Sequence, residues 1–397
     1  MESRKLNFRP LDESFFVKKE VRKMKKFSIP SGTRDLILDE CMKKRALQKG
    51  IEEVFDAYGY DEIITPSIEY YQTYQTGFEQ LKDEQMYKFF DQDGKILTLR
   101  MDMTVPIARV CASKFKDQTP PFRFRYHANV YKVKQSFAGK RNEVTDCGIE
   151  LLGLQDKESD LEILMCALEV METMKQSSYT LEIGNVNFFH SACDELQLDK
   201  EEVEILADLI DRKSMIELKD YLSKLKLDED KQQFFLQLPW LCGDIKVLDD
   251  ALTYCFNDQL KDIVYQLKQL MSDLTALGYG KHITFDLGKV PHLNYYSGLL
   301  FEGFVEGIGT SVLSGGRYDH LLEKFGKPMP AIGFSVKLDY LLEVYELTCE
   351  TKKTMQILYP LSKQLEALQK AKTLRKDYRV ELLPQEREDI EVKEVMA

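Results

Sequence analysis

Polar and apolar positions alternate most regularly between residues 122 and 153, and this alternation predicts a long β-hairpin. Along its first arm Arg123, Arg125, His127, Asn129 and Tyr131 fall on one face, with Phe124, Tyr126, Val130 and Val133 broadly on the other. A loop over 135–141 follows. The return arm, 143–152, carries Asp146 and Glu150 four apart, which places both carboxylates on one face of a strand. Two acids on a sheet floor make a pocket for a cation, such as an amino group or a protonated ring. The plain alternative is a solvated sheet face with scattered charges.

The remaining pattern alternates strands and helices. Leu47, Ile51, Val54, Phe55 and Tyr58 recur at helical spacing, and Gly59 ends that helix. Residues 61–65 predict a short strand stopped by Pro66. A second hairpin, 86–90 with 96–101, turns at Asp91-Gln92-Asp93-Gly94 and sets Asp102 and Thr104 two apart on one face at its end. Ser159 is placed to cap a helix whose buried stripe is Leu161, Leu164, Met165 and Leu168. Residues 187–278 read almost wholly as helix between strands at 180–183 and 283–287, hence as an insertion. A strand follows at 298–305. The run 314–319 turns into a short helix, and 330–334 leads into a final helix through Leu342. The tail predicts strand 355–359, helix 362–375 and strand 379–383, one βαβ unit. The expected organisation is an N-terminal arm (1–28), a core (29–186 with 281–348), a helical insertion (187–280) and a short α/β tail (351–397). The arm is rich in Lys and Arg and reads as a solvated segment.

Composition narrows the class. With 397 residues, 44% of them apolar, the chain can build two or three domains. It contains no run of about 18 apolar residues. The start carries Glu2, Arg4 and Lys5 without an apolar segment, which argues against a secretory signal and for the cytoplasm. Eight cysteines are scattered with no C-x-x-C pair and no clustering with His. That argues against a zinc site and against a disulfide framework, and neither metal nor cofactor is expected. A net charge of −11 gives no footprint for nucleic acid. His127, His190, His282 and His320 lack ligand spacing, Cys147 reads as a packed thiol, Gly315-Gly316 as close backbone packing, and Trp240 as core.

Seven segments in register carry a resemblance. They are Pro30-Ser31-Gly32-Thr33-Arg34-Asp35, Gly59-Tyr60 with Pro66, and Leu99-Arg100-Met101-Asp102-Met103-Thr104. They continue with Cys147-Gly148-Ile149-Glu150-Leu151-Leu152-Gly153, Leu293-Asn294-Tyr295-Tyr296, Gly315-Gly316-Arg317-Tyr318-Asp319 and Ala331-Ile332-Gly333-Phe334. Residues 29–345 resemble the catalytic core of histidyl-tRNA synthetase. The implied fold is α+β: a class II aminoacyl-tRNA synthetase-like antiparallel sheet flanked by helices, with a helical insertion and a C-terminal βαβ remnant, dimerising through the region ending at Pro66. The implied ligand is histidine. Asp102, Thr104 and Asp146 would hold its α-ammonium, with Met103 beside them. Glu150, Tyr295 and Tyr296 would face the imidazole, with Tyr318 nearby.

The departures from that family are informative. Activating an amino acid with ATP builds charge on a phosphate, which fixed guanidinium forks stabilise. Where the family has three arginines this chain has Lys132, Pro291 and Tyr340, with His292 and Lys337 replacing glycines. Losing one such donor typically costs a factor of about 10²–10³ in rate. Asp146 stands where the synthetase has Gln, leaving Lys132 alone to hold a ligand carboxylate. The tail 351–397 is too short for the family's anticodon-binding domain. A pocket without the chemistry and without the tRNA domain resembles the branch of ATP phosphoribosyltransferase regulatory subunits. These are non-catalytic partners of a short catalytic subunit in the first step of histidine biosynthesis, with histidine as feedback effector. The alternatives are an active histidyl-tRNA synthetase, or a stand-alone histidine- or tRNA-sensing module.

Overall fold

The computed structural model describes residues 28–78, 83–133, 141–155, 157–174, 178–290, 296–346 and 352–395. The basic arm over 1–27, the hairpin loop over 134–140 and the segment 291–295 lie outside these. In chain order the first half comprises α1 (Asp39–Ala57), β1 (Asp61–Glu62), β2 (Ile68–Tyr70), α2 (Tyr71–Gly77), β3 (Lys88–Phe90), β4 (Ile96–Leu99), α3 (Thr104–Ser113), β5 (Phe122–Tyr131), β6 (Glu143–Leu152), α4 (Lys157–Thr173) and β7 (Tyr179–Asn185). Helices α5 (Val186–Glu195), α6 (Lys200–Asp211), α7 (Met215–Lys224) and α8 (Glu229–Gln237) follow, then β8 (Cys242–Gly243), α9 (Lys246–Tyr254) and α10 (Asp258–Ala276). The chain returns through β9 (Ile283–Asp286), β10 (Leu299–Val305), β11 (Leu313–Arg317), β12 (Ala331–Lys337) and α11 (Leu338–Leu341). It ends in β13 (Thr354–Tyr359), α12 (Gln364–Leu374), β14 (Arg379–Pro384) and β15 (Glu391–Val395).

The centre is a nine-stranded sheet in the order β1-β5-β6-β12-β11-β10-β7-β9-β8. Its inner pairs are antiparallel, and β1/β5 and β7/β9 are parallel. The 122–153 alternation forms the expected hairpin, with Phe122 opposite Leu152 and Tyr131 opposite Glu143. Each strand is pinned by what its two faces touch. The apolar face of β6 (Cys147, Ile149, Leu151) joins Ile332, Phe334 and Val336 of β12 under α1 and α4 in the main core. On the opposite face Phe122, Phe124 and Tyr126 of β5 pack against Ile107, Ala108 and Cys111 of α3. The chain from α5 to α10 leaves the sheet after β7, touches its edge through β8 and returns at β9, with α10 packed on α4 and α5.

Several expectations are corrected. The 61–65 strand shrinks to Asp61–Glu62. The second hairpin gains a third strand, β2, in the order β2-β4-β3. Thr104 opens helix α3 rather than ending a strand. Pro106 is tolerated there because first-turn N–H groups have no intrahelical partner, and the free Val105 N–H donates to Asp102 Oδ1 at 3.2 Å. Residues 313–317 of the 314–319 run form a central strand rather than a turn, and the short helix expected after it is a 3₁₀ turn at 322–325. Strand β12 continues to Lys337, leaving the last helix only the four residues Leu338–Leu341. The tail adds β15 antiparallel to β13, beside the parallel β13/β14 pair of the βαβ unit. Trp240 is 56% exposed, under Lys213, while neighbouring Leu238 fills the core.

Ser159 lies inside α4 rather than capping it. Its hydroxyl accepts from Arg317 Nη2 at 2.8 Å, within a network that ties β11 to α4. Arg317 Nε donates to Asp160 Oδ1 at 2.9 Å, Nη2 meets the same oxygen, and Nη1 reaches Asp319 Oδ1 at 3.1 Å. Removing one partner of such an enclosed pair leaves the other charge stranded. Arg317→Met is therefore expected to lower unfolding free energy by roughly 3–5 kcal/mol, against about 1 kcal/mol for Ser159→Ala. Urea denaturation of both variants checks this, and equal losses would contradict it.

Candidate functional site

Strands β6, β12 and β11 carry short polar or absent side chains at adjacent register positions on one face. Asp146 pairs with Lys337, Gly148 with Ser335, and Glu150 with Gly333; Ser335 in turn pairs with Ser314, and Gly333 with Gly316. This opens a cavity of about 250 Å³ above the sheet. The glycines are required by space. A Cβ on Gly333 would stand 1.9 Å from Glu150 Oε2, and one on Gly316 would stand 2.7 Å from the Tyr296 ring. The start of α3 supplies Asp102, Met103 and Thr104 as a wall, and Tyr126, Lys132, Tyr296 and Tyr318 complete the lining.

Glu150 is 2% exposed. Thr104 Oγ1 donates to its Oε1 at 2.8 Å, and the Tyr318 hydroxyl donates to its Oε2. Burial raises its pKa to about 7, against the lowering effect of those two donors. Burial likewise raises Asp102 to about 6, with Lys132 pulling the other way. Asp146 also rises to about 6 through burial, opposed by Lys337 and Lys132 and reinforced by Asp102. Among the described residues Asp146 Oδ1 has no hydrogen-bond partner. Lys337 is held below the ordinary lysine range by burial, and its Nζ reaches only the Ser311 hydroxyl at 3.3 Å and carbonyl at 3.5 Å. The cavity thus holds three acids that ionise reluctantly and two lysines, with one buried carboxylate oxygen unmatched. Such a site has room and polarity for a small ligand bearing both an ammonium and an anionic group.

Of the nine residues read from the sequence, Asp102, Met103, Thr104, Lys132, Asp146, Glu150, Tyr296 and Tyr318 line this one cavity, and Tyr295 lies outside the described residues. Lys132 is not the sole cation there, because Lys337 lines the same wall. Tyr126, Ser314 and Ser335 were also missed. For Ser335 and Lys337 the signal was their period-two spacing with Gly333, hidden by reading a helix where β12 continues. No arginine lines the cavity among the described residues. Arg100 spends its donors on the carbonyls of Asn129, Thr65 and Pro66, and Arg141 on Asp339 and Glu343.

Comparison with known proteins fits this architecture. The family model for histidyl-tRNA synthetase matches residues 32–341. An ATP phosphoribosyltransferase regulatory subunit of Acetivibrio thermocellus is 38% identical over 317 residues, covering 80% of this chain and 76% of the relative. One from Ruminiclostridium cellulolyticum is 34% identical over 361 residues, covering 90% and 86%. A crystal structure described as an ATP phosphoribosyltransferase regulatory subunit/histidyl-tRNA synthetase from Bacillus halodurans superposes with a TM-score of 0.82 at 30% identity, covering 91% of this chain and 94% of the other. The chain belongs to the histidyl-tRNA synthetase family and, within it, to the ATP phosphoribosyltransferase regulatory subunits.

The Glu150 geometry fixes a sign for pH dependence. The fold retains a proton on Glu150 up to about pH 7, whereas the unfolded chain loses it near the ordinary 4.5. This contribution to stability is full below the ordinary value and declines as pH rises through that window. Glu150→Gln keeps the acceptor for Tyr318 and cannot ionise. Its stability relative to wild type should therefore rise between about pH 4.5 and 7, by on the order of 2–3 kcal/mol, and then level off. Denaturation midpoints across pH 4–8 check this. A constant difference would show that Glu150 titrates in the fold at its ordinary value.

Proposed function

We propose that this chain is the non-catalytic regulatory partner of a short ATP phosphoribosyltransferase catalytic subunit, and that its cavity binds histidine, the end product that governs the first step of its own synthesis. The observation that carries this reading is a cavity with acids at amino-acid-binding positions and, among the described residues, no arginine in its lining. Asp102 and the unmatched Oδ1 of Asp146 take the α-ammonium. Glu150, already accepting from Thr104 and Tyr318, takes an imidazole N–H, with Tyr295 and Tyr296 against the ring. Lys132 takes the carboxylate. Adenylate formation would need rigid guanidinium forks on a phosphate, and flexible ammonium groups do not replace them.

Self-association is placed around Pro66. Ile64 is 83% exposed and Phe90 73% exposed, and Ile68, Tyr70 and Ile96 of the same small sheet are also uncovered. An apolar patch of this kind marks a contact surface. A cytoplasmic location is part of this proposal.

Two outcomes test the proposal. The full chain, at least a dimer by light scattering, should co-purify with the short catalytic subunit and make its activity sensitive to histidine. The same chain should show no histidine-dependent pyrophosphate exchange. Exchange above background would identify a synthetase instead. In calorimetric titration Glu150→Ala should lose preference for histidine over other amino acids, and Asp102→Ala should weaken all of them alike. Each loss is expected at roughly 2–5 kcal/mol, the cost of removing one partner of a buried charged hydrogen bond. A Glu150→Ala variant that binds histidine like wild type would place the ligand elsewhere.

A further inference from the structure

Two lysines, Lys132 and Lys337, and two aspartates, Asp102 and Asp146, line the cavity together. The Asp146–Lys337 pair is unusual. Asp146 and Lys337 are register partners on adjacent antiparallel strands, where side chains ordinarily meet. Here they form no ion pair. Lys337 Nζ turns to Ser311 at 3.3 and 3.5 Å, beyond good hydrogen-bond length, and Asp146 Oδ1 keeps no partner among the described residues. Two opposite charges in register, both lining the same cavity and neither satisfied by the other, are each left with bonding capacity toward it.

We propose that Lys337 is a specificity-determining residue, which together with Lys132 forms a subsite for a free carboxylate and restricts the cavity to intact zwitterionic α-amino acids. This rests on the reading above that the cavity takes histidine. Two ammonium groups supply up to six donors to a carboxylate that has two oxygens, while Asp146 and Asp102 take the ammonium on the adjoining carbon. The head-group end is neutral overall, so a ligand that keeps its ammonium but lacks the carboxylate leaves both lysines uncompensated. Rejection of an analogue that strands buried polar groups is strong, whereas rejection by size alone is weak. The arrangement therefore separates the free amino acid from its amino-alcohol and amine relatives, which carry the same ring.

A different role for Lys337 would be to neutralise Asp146 electrostatically. The two roles diverge in one measurement. Neutralisation affects every ligand with an ammonium equally, whereas a carboxylate contact affects only ligands that have the carboxylate. The experiment titrates L-histidine, L-histidinol and histamine calorimetrically into the full chain, into Lys337→Met, and into Lys337→Gln, which keeps a polar group against Ser311. Thermal unfolding checks that each variant folds. Wild type should prefer histidine over histidinol by roughly 30-fold or more, at about 1.4 kcal/mol per tenfold. Either variant should bring the two ligands within roughly threefold, mainly by weakening histidine, and Lys337→Arg should restore much of the preference. Wild type binding histidinol as tightly as histidine, or both variants keeping the preference, would overturn the inference while leaving the histidine site standing. Wild type binding none of the three would overturn the histidine reading itself.

Discussion

The register of β6 is the constraint on which the rest depends. One face of that strand presents Cys147, Ile149 and Leu151 to the main core, all completely buried, and the other presents Asp146 and Glu150 to the cavity, with Gly148 between them under Tyr126. A slip of one residue would exchange the faces and drive two carboxylates under α1 and α4. Burying unpaired charges there would exceed any gain available from the strand, so the pairing with β5 and β12 is sharply selected. Everything at the site inherits this choice. Once Glu150 faces outward, its partner position on β12 must be a glycine. Once Asp146 faces outward, Lys337 becomes its neighbour.

The same register makes the site costly in isolation. Asp102, Asp146 and Glu150 all have pKa values raised by burial, so each would be more comfortable in water. The surrounding structure offsets this through contacts remote from the cavity. Asp339, 6% exposed in α11, accepts from the Thr145 amide at 2.6 Å and sits between Lys44 and Arg141, which locks α11 against β6. Arg317, Asp160 and Asp319 do the same for β11 against α4. Satisfied ionic networks beneath the sheet thus support unsatisfied charges above it, the distribution expected where local stability is given up for binding.

How much of this was legible in the sequence follows from which residues carry a periodic signal. The 122–153 hairpin was readable because bulky apolar and charged side chains alternate strictly along it. The insertion was readable because Leu260, Val264, Leu267, Met271 and Leu274 recur at helical spacing, and all are buried in α10. Strand β11 was not readable. Ser314, Gly315 and Gly316 resemble a turn, and only the bulk of Phe301, Phe334 and Tyr296 around them shows why side chains are excluded there. Thr104 was misplaced for a related reason, since a proline three positions into a helix looks like a break until the helix start is known. Trp240 was assigned to the core as part of the helical insertion, yet a short 3₁₀ turn at 238–240 sends it outward and Leu238 inward. Eight of the cavity residues came from ordered motifs, and Lys337 escaped because its meaning depends on the strand pairing that places it beside Asp146.

That pairing also bears on why a synthetase fold can serve as a sensor. Catalysis requires donors that bind better as charge develops on a transferring group than they bind the ground state. A planar guanidinium fork held at a fixed angle does this for phosphate. An ammonium on a flexible chain offers a point charge that follows the ligand and binds what is already there. Replacing a fork by Lys132, and adding Lys337 where the family has a glycine, therefore moves binding energy from the transition state to the resting ligand. Reluctantly ionised acids act in the same direction, since they gain most when a stable cation arrives and remains. On the proposed reading, a cavity built this way would hold an amino acid and leave it unchanged, and a bound but unreacted ligand is what a concentration sensor needs.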